Sequence, residues 1–412
     1  MKKDVLSRRS FLYGMAGLGA SLCLPPSWAA SVQFQPFSFA YVTDCHLVNG
    51  VPDSYRLTQE SQLFLQDAVK QINQLGVDFV IFGGDQVEKP GEDDRNWQLF
   101  LDIVQGLNCS SWQFVLGETD VSGVVPADKL RTYGRDWKGK GLAGDKPYWS
   151  MDILPNVHVI GLDTSRANST EGFVSTEQLE WLQEDLKNAH NRFVFVVSHH
   201  PLLPPPPFDG GPPWDDYLVP QAPNVREILN TSSDVRLAIS GHVNVTKIDR
   251  EKNIWYVASP SLVVYPCAFR VFRINSERIN IETFGIQYPA LQKKARANLA
   301  VSKLAYDYNK AKPASFIDIA YGDKLDNDVS LTIAPGKVKE PYKPERVTNK
   351  KDHPKKGTNK KEAPKPEPEQ KDKGSSAPAN PPEAQPEPVK QDGATSDGAT
   401  NNAPANSETT RP

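Results

Sequence analysis

The sequence has 412 residues, with 50 acidic and 47 basic side chains and a formal net charge of -3. This length allows one large domain or two, so it does not decide the architecture. A charge so near neutral argues against a nucleic-acid polymer or an anionic membrane surface as the main partner.

The N-terminal segment, residues 1–30, predicts an export signal and no part of the fold. Arg8 and Arg9 precede a Phe-Leu pair, and an apolar run covers 11–24. This order is typical of a twin-arginine signal peptide, which the twin-arginine export machinery reads. The run is shorter than the ~20 residues of a membrane span, so a transmembrane anchor is disfavoured. Cys23 follows a leucine, which makes lipidation the minor alternative. We therefore expect a periplasmic or extracellular protein.

From residue 33 to residue 288, apolar runs of strand length alternate with helical patterns. Strands are predicted at 37–43, 77–83, 112–117, 157–163, 193–198 and 235–240, and helices at 57–76, 95–107 and 175–190. The strand runs are apolar without alternation, which suits strands that are covered on both faces. The pattern therefore predicts a layered α/β domain.

The sequence after residue 252 predicts a different arrangement. We expect successive antiparallel strands within 254–286, then a C-terminal extension at 289–335 with one helix over 288–311 and strands at 315–321 and 328–333. Residues 336–412 are rich in Pro, Lys and Glu and have few apolar side chains, so they predict a disordered tail. A solvated linker is the favoured role for this tail, and a tether to the cell surface is the alternative.

Polar side chains with metal-binding chemistry follow five of the predicted strands. In chain order they are Asp44 and His46, Asp85, Glu118, His199 and His200, and His242 and Asn244. Sheets of this type bind ligands at the carboxyl ends of their strands. Residues two apart in an extended segment point the same way, so each D-x-H or H-x-N pair is expected to bind one ion. Carboxylates with imidazoles favour Zn, Fe or Mn, and the ordered set predicts a metal site.

In this order the motifs resemble those of the calcineurin-like metallophosphoesterases, which run D-x-H, G-D, G-N-H-D, H and G-H-x-H. The stretches YWSMDI, GLDTS and STEQLEWLQEDL are similar to the branch that includes cyclic-nucleotide phosphodiesterases and relatives of purple acid phosphatases. The resemblance covers residues 37 to 275. It implies a four-layer α/β/β/α sandwich with mixed sheets and a two-metal site that Asp85 bridges. Its motifs assign metal-ligand roles to Asp44, His46, His199 and His242.

Two motifs depart from the family pattern. GETD stands where the family has G-N-H-D, so Glu118 takes the place of an asparagine ligand. Thr119 takes the place of the histidine that faces the phosphate. GHVN ends in Asn244, where the family has its last histidine ligand. If Glu118 and Asn244 still bind metal, the site is richer in oxygen and leans toward Mn, Fe or Mg.

These observations predict an exported phosphoesterase that uses one or two divalent metal ions and a small phosphorylated substrate. Phosphodiesters are favoured over monoesters. A threonine hydroxyl cannot supply a proton near neutral pH, and the charge of Glu118 disfavours a dianion. The alternative is a catalytically degenerate protein of the same fold that binds a phosphorylated ligand or a partner. A purely structural metal is less favoured, because a domain of this size has core enough without one.

Three side chains are candidates for contacts with the substrate. Thr119 can donate a hydrogen bond to the phosphate. His200 either touches the substrate or caps its strand. Trp214 lies in the proline-rich loop after His200, where it either stacks on a base or aromatic leaving group or packs under its own loop.

Overall fold

The structure, a computed structural model, describes residues 33–48, 54–88, 95–121, 146–333 and 340–341. The predicted signal segment and all but two residues of the predicted tail lie outside these ranges. No helix in the described ranges is long and apolar enough to cross a membrane.

Strands account for most of the core. The described residues form thirteen: β1 Phe37–Val42, β2 Phe79–Phe82, β3 Ser111–Phe114, β4 Trp149–Leu154, β5 Val157–Gly161, β6 Phe193–Val197, β7 Val235–Ser240, β8 Lys247–Glu251, β9 Ile254–Ala258, β10 Ala268–Ile274, β11 Arg278–Gly285, β12 Val329–Thr332 and β13 Glu340–Pro341. The six strands predicted before residue 252 are all present, with ends that differ by at most three residues.

Helices cover the outer faces. The described residues form eight α-helices: α1 Ser61–Leu75, α2 Arg95–Val104, α3 Thr176–Asn188, α4 Ala222–Leu229, α5 Pro289–Ala300, α6 Lys303–Tyr308, α7 Phe316–Tyr321 and α8 Lys324–Asn327. Local signals set their ends. Gly76, with a φ of 62°, ends α1 in the left-handed conformation that glycine adopts without strain. Ser175 begins α3, because its side chain accepts a hydrogen bond from the Gln178 amide.

The strands form two mixed sheets. The seven-stranded sheet has the order β13-β12-β11-β10-β1-β2-β3, in which β1, β2 and β3 are parallel and the other pairings are antiparallel. The six-stranded sheet has the order β4-β5-β6-β7-β9-β8, in which β5, β6, β7 and β9 are parallel. The carboxyl ends of the parallel strands therefore share one edge of each sheet, which is where ligands bind in such folds.

The core lies in three apolar layers, one between the sheets and one under each set of helices. Phe39 belongs to the middle layer, where its ring stacks on Phe79 at 5.1 Å, Phe272 at 4.7 Å and Phe195 of the other sheet at 5.2 Å between centroids. Its neighbour Ala40 faces the opposite way, into the cluster that α1 and α2 cover. Helices α3 and α4 cover the outer face of the second sheet. The predicted four-layer α/β/β/α sandwich is confirmed.

The C-terminal predictions were partly wrong. Strand β9 pairs parallel to β7 in the six-stranded sheet, so of the strands predicted after residue 252 those that follow one another as antiparallel neighbours are β10, β11 and β12. The predicted strand 315–321 is helix α7, which packs its apolar residues under the seven-stranded sheet. The predicted helix 288–311 is broken into α5 and α6, because Ser302 accepts a hydrogen bond from the Ala305 amide and starts a new helix.

Three strands were missed or misjudged because their side chains carry little apolar pattern. β4 is largely half-buried, and β8 is an edge strand of mostly polar residues. β13 lies inside the segment that we predicted to be disordered from residue 336. It pairs with β12 through the backbone. Such pairing at a sheet edge needs no apolar side chain, so composition does not reveal it.

Candidate metal centre

The strand ends bring the predicted ligands together in a buried cluster. All seven are residues of which no more than 5% of the surface is exposed: Asp44, His46, Asp85, Glu118, His199, His242 and Asn244. Six of them form two groups whose ligand atoms lie within 4.8 Å of one another. The first group is Asp44, His46 and Asp85, and the second is Asp85, Glu118, His199 and His242.

Asp85 is the residue that both groups share. Its Oδ2 atom lies 3.5 Å from Nε2 of His46 and 3.4 Å from Nε2 of His199. Its Oδ1 atom accepts a hydrogen bond from the Thr119 amide at 2.9 Å, which fixes the plane of the carboxylate. One oxygen of Asp85 therefore faces both groups, as the bridging role requires.

Glu118 lies among the ligands of the second group. Its Oε2 atom is 2.9 Å from Nε2 of His199 and 3.1 Å from Nδ1 of His242. Atoms that bind one ion at about 2.0–2.2 Å lie about 3–3.5 Å apart, so these separations fit a shared cation. The carboxylate that replaces the family's asparagine is thus positioned as a ligand.

Hydrogen bonds at Nδ1, on the side away from the cluster, orient one imidazole ring of each group. Nδ1 of His199 donates to the Gly83 carbonyl at 2.8 Å, and Nδ1 of His46 lies 2.6 Å from Oε2 of Glu88. With a proton on Nδ1, each ring presents the lone pair of Nε2 to the cluster. Glu88 was not predicted as a site residue.

Several ligand atoms are buried without a hydrogen-bond partner in the described part of the chain. They are Nε2 of His46, Oδ2 of Asp85, Nε2 of His199, both ring nitrogens of His242 and Oδ1 of Asn244. A buried polar atom left unpaired costs about 1–3 kcal/mol, so a cluster of them in a native fold needs an explanation. Bound cations would satisfy the two oxygen atoms and one nitrogen of each ring. The residues fit divalent metal ions, and Asn244 offers an amide oxygen beside them.

The charges of the cluster lead to the same conclusion. Burial alone would raise the pKa of Glu118, but His242 and His199 hold it well below its usual value. Burial would lower the pKa of His199, whereas Asp85 and Glu118 hold it well above the usual value. The imidazoles therefore stabilise the negative charge of these buried carboxylates, and a bound metal ion would supply positive charge in the same place.

Five of the predicted ligands have an unusual backbone conformation. The φ angles are 55° at Asp44, 44° at His46, 53° at Asp85, 67° at His242 and 54° at Asn244. Such left-handed residues cost of order 1–3 kcal/mol each when they are not glycine, and they cluster at functional sites. The prediction of extended D-x-H and H-x-N segments was wrong in its geometry. The side chains converge because the chain turns tightly at each strand end.

Two glycines allow the backbone to approach the ligands. A Cβ atom on Gly117 would lie 2.1 Å from Oδ1 of Asp85, and one on Gly84 would lie 2.3 Å from Nδ1 of His199. Gly84 also has a φ of +98°, which side-chain-bearing residues rarely adopt. Any side chain at these positions would displace a ligand.

The side chains of the three predicted substrate contacts hydrogen-bond or pack within the protein. The Thr119 hydroxyl donates to the Val87 carbonyl at 2.7 Å, so its proton is already used. His200 is fully buried, with Nδ1 2.9 Å from the Thr164 hydroxyl and Nε2 3.2 Å from the Thr170 carbonyl, which is the structural alternative. Burial, followed by His242 and His199, holds the pKa of His200 well below its usual value, so the ring is neutral.

Trp214 takes the second of its two predicted roles. Its side chain is only 7% exposed, and its ring packs 4.9 Å from Phe208 and 6.3 Å from Tyr217 within its own loop. The aromatic side chain beside the ligands is instead Tyr217, whose ring is 5.9 Å from that of His242. Trp214 therefore has no free face for stacking on a base, and the loop packs as a wall.

Two more residues that support the site were missed by sequence analysis. Asp120 accepts hydrogen bonds from the Gly117 and Val87 amides, and it thereby joins the turns after β3 and β2. As the last letter of GETD it matches the family motif, and this match was the available signal. Arg56 lies 3.7 Å from Glu88, and nothing in its local sequence marks it.

Two proteins of similar sequence are both named as cyclic-nucleotide phosphodiesterases. The chain is 24% identical over 249 residues to a 3',5'-cyclic-nucleotide phosphodiesterase of Nostoc sp., covering 59% of this chain and 85% of that protein. It is 22% identical over 261 residues to a protein of Pseudoalteromonas sp. named a probable cyclic nucleotide phosphodiesterase, covering 59% of this chain and 91% of that protein.

The fold and the family follow from two further matches. A dimetal phosphatase from Danio rerio superposes with a TM-score of 0.50 and 18% identity, covering 61% of this chain and 97% of that one, which supports the fold alone. The sequence profile of the calcineurin-like phosphoesterases matches residues 37–245, just over half of the 412-residue chain. The match spans every strand end that carries a predicted ligand. The chain belongs to the calcineurin-like phosphoesterase family.

Proposed function

We propose that this protein is a metal-dependent phosphodiesterase. The observation that supports this most directly is the shared Asp85 carboxylate. One of its oxygens lies about equally far from His46 and His199, at 3.5 and 3.4 Å, in a cluster of unpaired ligand atoms. Two adjacent cation positions joined by one carboxylate are the arrangement that hydrolysis of a phosphoester uses.

The first cation position would be held by Asp44, His46 and Asp85, and the second by Asp85, Glu118, His199 and His242. Bound divalent ions lower the pKa of water and offset the charge that develops on phosphate. Carboxylates and imidazoles together suit Mn, Fe or Zn, and Mg is compatible with the oxygen-rich part of the set.

The protein's own residues prepare the site for this chemistry. Glu88 and the Gly83 carbonyl keep the rings of His46 and His199 in one tautomer and one orientation. Thr119 and Gly117 hold the carboxylate of Asp85 between their backbones. Burial of all these groups excludes bulk water and so strengthens their electrostatic effects.

Two features favour a diester over a monoester as the substrate. Glu118 adds a negative charge, which disfavours a dianionic monoester more than a monoanionic diester. The imidazole that could protonate a poor leaving group is replaced by Thr119, whose hydroxyl proton is directed to Val87. The names of the two phosphodiesterase relatives support the same choice.

A cavity beside the site suits the organic part of such a substrate. It has a volume of about 570 Å³ and is lined by Val121, Tyr148, Ser165 and Phe173 among others. Val121 belongs to the same short 3₁₀ turn as Thr119. Small-molecule sites measure about 300–1,000 Å³ and are mostly apolar, so this cavity is large enough for a nucleoside or an aryl group.

Metal removal tests the proposed activity. Full-length protein purified without added metal should contain divalent metal by elemental analysis and should hydrolyse bis(p-nitrophenyl) phosphate. Chelation should abolish turnover, and Mn²⁺, Fe²⁺ or Zn²⁺ should restore it. Metal binding without hydrolysis of any phosphoester would overturn the proposal and favour a degenerate protein that only binds a phosphorylated ligand.

We also propose that the chain is exported by the twin-arginine route, on the strength of the Arg8-Arg9 pair and the apolar run after it. Replacement of both arginines by lysine should leave the precursor inside the cell. Immunoblots of cytoplasmic and exported fractions would measure this, with replacement of Lys2 and Lys3 by Arg as the control. Unchanged export of the Arg8→Lys, Arg9→Lys variant would contradict the proposal.

A further inference from the structure

Arg56 lies beside the metal centre, and its guanidinium carbon is 5.6 Å from the centroid of the Tyr55 ring. Its Nη1 atom is 3.7 Å from Oε2 of Glu88, which is the carboxylate that orients His46. This distance is an ion pair and is too long for a hydrogen bond. Within the described residues, no side-chain hydrogen bond of Arg56 is present, and its Nε atom is buried without a partner.

The surroundings of Arg56 connect it with both cation positions. Burial would lower the pKa of its guanidinium, but Tyr55, Glu88, Asp85 and Glu118 hold that pKa above its usual value. The positive charge therefore acts on Asp85, which the two positions share, and on Glu118 of the second position. Because an arginine remains charged at all working pH values, this positive charge is permanent.

The charge of Arg56 also influences the phenol of Tyr217, whose ring lies beside that of His242. Burial and Tyr55 raise the pKa of the Tyr217 phenol, and Arg56 is among the charges near enough to oppose this. The Tyr217 ring is 5.9 Å from that of His242. Arg56 is thus linked to His46 by its ion pair with Glu88. Its charge also influences Tyr217, which lies beside His242.

Part of the Arg56 side chain reaches the surface, although its Nε atom is buried. The Arg56 side chain is 21% exposed, so part of it is open to a ligand while most of it is shielded from water. A guanidinium in this setting binds a phosphate group through two parallel N–H donors, which is stronger and more directional than a lysine contact. The hydroxyl of Thr119, which stands where the family has a phosphate-facing histidine, is directed to Val87 and offers no such donor.

We propose that Arg56 binds the phosphate group of the substrate and takes over the anion contact that the family's histidine makes at the Thr119 position. This inference rests on the proposed phosphoesterase function for its choice of ligand. It assigns Arg56 a direct contact with the substrate. The structural alternative is that Arg56 acts only through Glu88, by holding the carboxylate that orients His46.

Binding of inorganic phosphate to the Mn²⁺-loaded full chain, measured by calorimetry, separates these roles without relying on turnover. Arg56→Gln should weaken phosphate binding about 10- to 100-fold, the range expected for loss of a charge-assisted hydrogen bond, with unchanged Mn²⁺ affinity. Arg56→Lys should retain part of the affinity, because it keeps the charge and loses the paired donors.

Two control variants complete the experiment. Arg192→Gln removes an arginine that pairs with Asp152 at 3.1 Å and precedes β6, at the opposite end of that strand from His199, so phosphate binding should not change. Glu88→Gln should weaken Mn²⁺ binding, because it removes the acceptor that orients His46.

The outcomes decide the inference. If Arg56→Gln binds phosphate as tightly as the wild type, or if it loses Mn²⁺ in parallel with Glu88→Gln, the direct contact is refuted. If Arg56→Gln does not fold, Arg56→Lys decides by the same two affinities. A wild type that binds phosphate through Arg56 but hydrolyses no phosphoester would leave this inference standing and overturn the proposed function.

Discussion

Asp85→Asn is expected to abolish hydrolysis and to lower the metal content at both cation positions. The substitution keeps the shape of the side chain and the acceptor for the Thr119 amide, but it removes the charge that faces His46 and His199. An amide offers one oxygen atom where a carboxylate offers two, and it has no net charge to offset two divalent ions. We expect a fall in kcat/KM of at least about 10³-fold, since loss of single catalytic groups has effects of 10²–10⁴.

Asp78→Asn provides the matched control for this prediction. Asp78 precedes β2, whereas Asp85 follows it, and the Asp78 carboxylate accepts a hydrogen bond from the Ser38 amide at 2.7 Å. Its loss should lower the melting temperature slightly and leave metal content and kcat/KM unchanged. Elemental analysis and rates on an aryl diester would measure both variants. Full metal content and full activity in Asp85→Asn would contradict the metal-site assignment.

Much of the fold could be predicted because the central strands are apolar on both faces. Runs such as 37–43 and 193–198 are apolar except for Ser38, Thr43 and Ser198, and they appear as β1 and β6. The strands that were missed are those with mixed side chains, β4 and β8. For them, position at a sheet edge decides the structure, and a single sequence carries little information on that position.

The metal ligands could be predicted because they follow the strands directly. The residues that contact these ligands could not be predicted. Glu88, Arg56 and Tyr217 contact the site from segments whose position depends on tertiary packing. The strained backbone at Asp44 and His242 was also hidden, because positive φ is rare in non-glycine residues and its enrichment at Asp, Asn and His is too weak to mark single positions. Trp214 shows the converse error, in which a residue suited to binding is used in packing.

Glu118→Gln tests whether the carboxylate in the family's asparagine position sets the choice of substrate. The amide keeps an oxygen near His199 and His242 and removes one negative charge. At pH 8 a phosphomonoester carries one negative charge more than a diester, so repulsion by Glu118 penalises the monoester specifically. One additional unit-charge interaction, attenuated by an effective dielectric near 20 and by the metal ions, is worth on the order of 1–2 kcal/mol. This corresponds to about tenfold in rate.

The ratio of kcat/KM for p-nitrophenyl phosphate to that for bis(p-nitrophenyl) phosphate should therefore rise about tenfold in Glu118→Gln, with both proteins saturated with Mn²⁺. The affinity for the second Mn²⁺ ion should itself fall, because a neutral ligand holds the ion less tightly. Glu184→Gln is the control, since Glu184 is 65% exposed and paired with Lys187 on the surface of α3. An unchanged ratio in Glu118→Gln would mean that the charge of Glu118 is fully offset by the metal ions. The diester preference would then have to come from the shape of the site beside Val121, because a cavity wall discriminates by size and is indifferent to the charge of the phosphate.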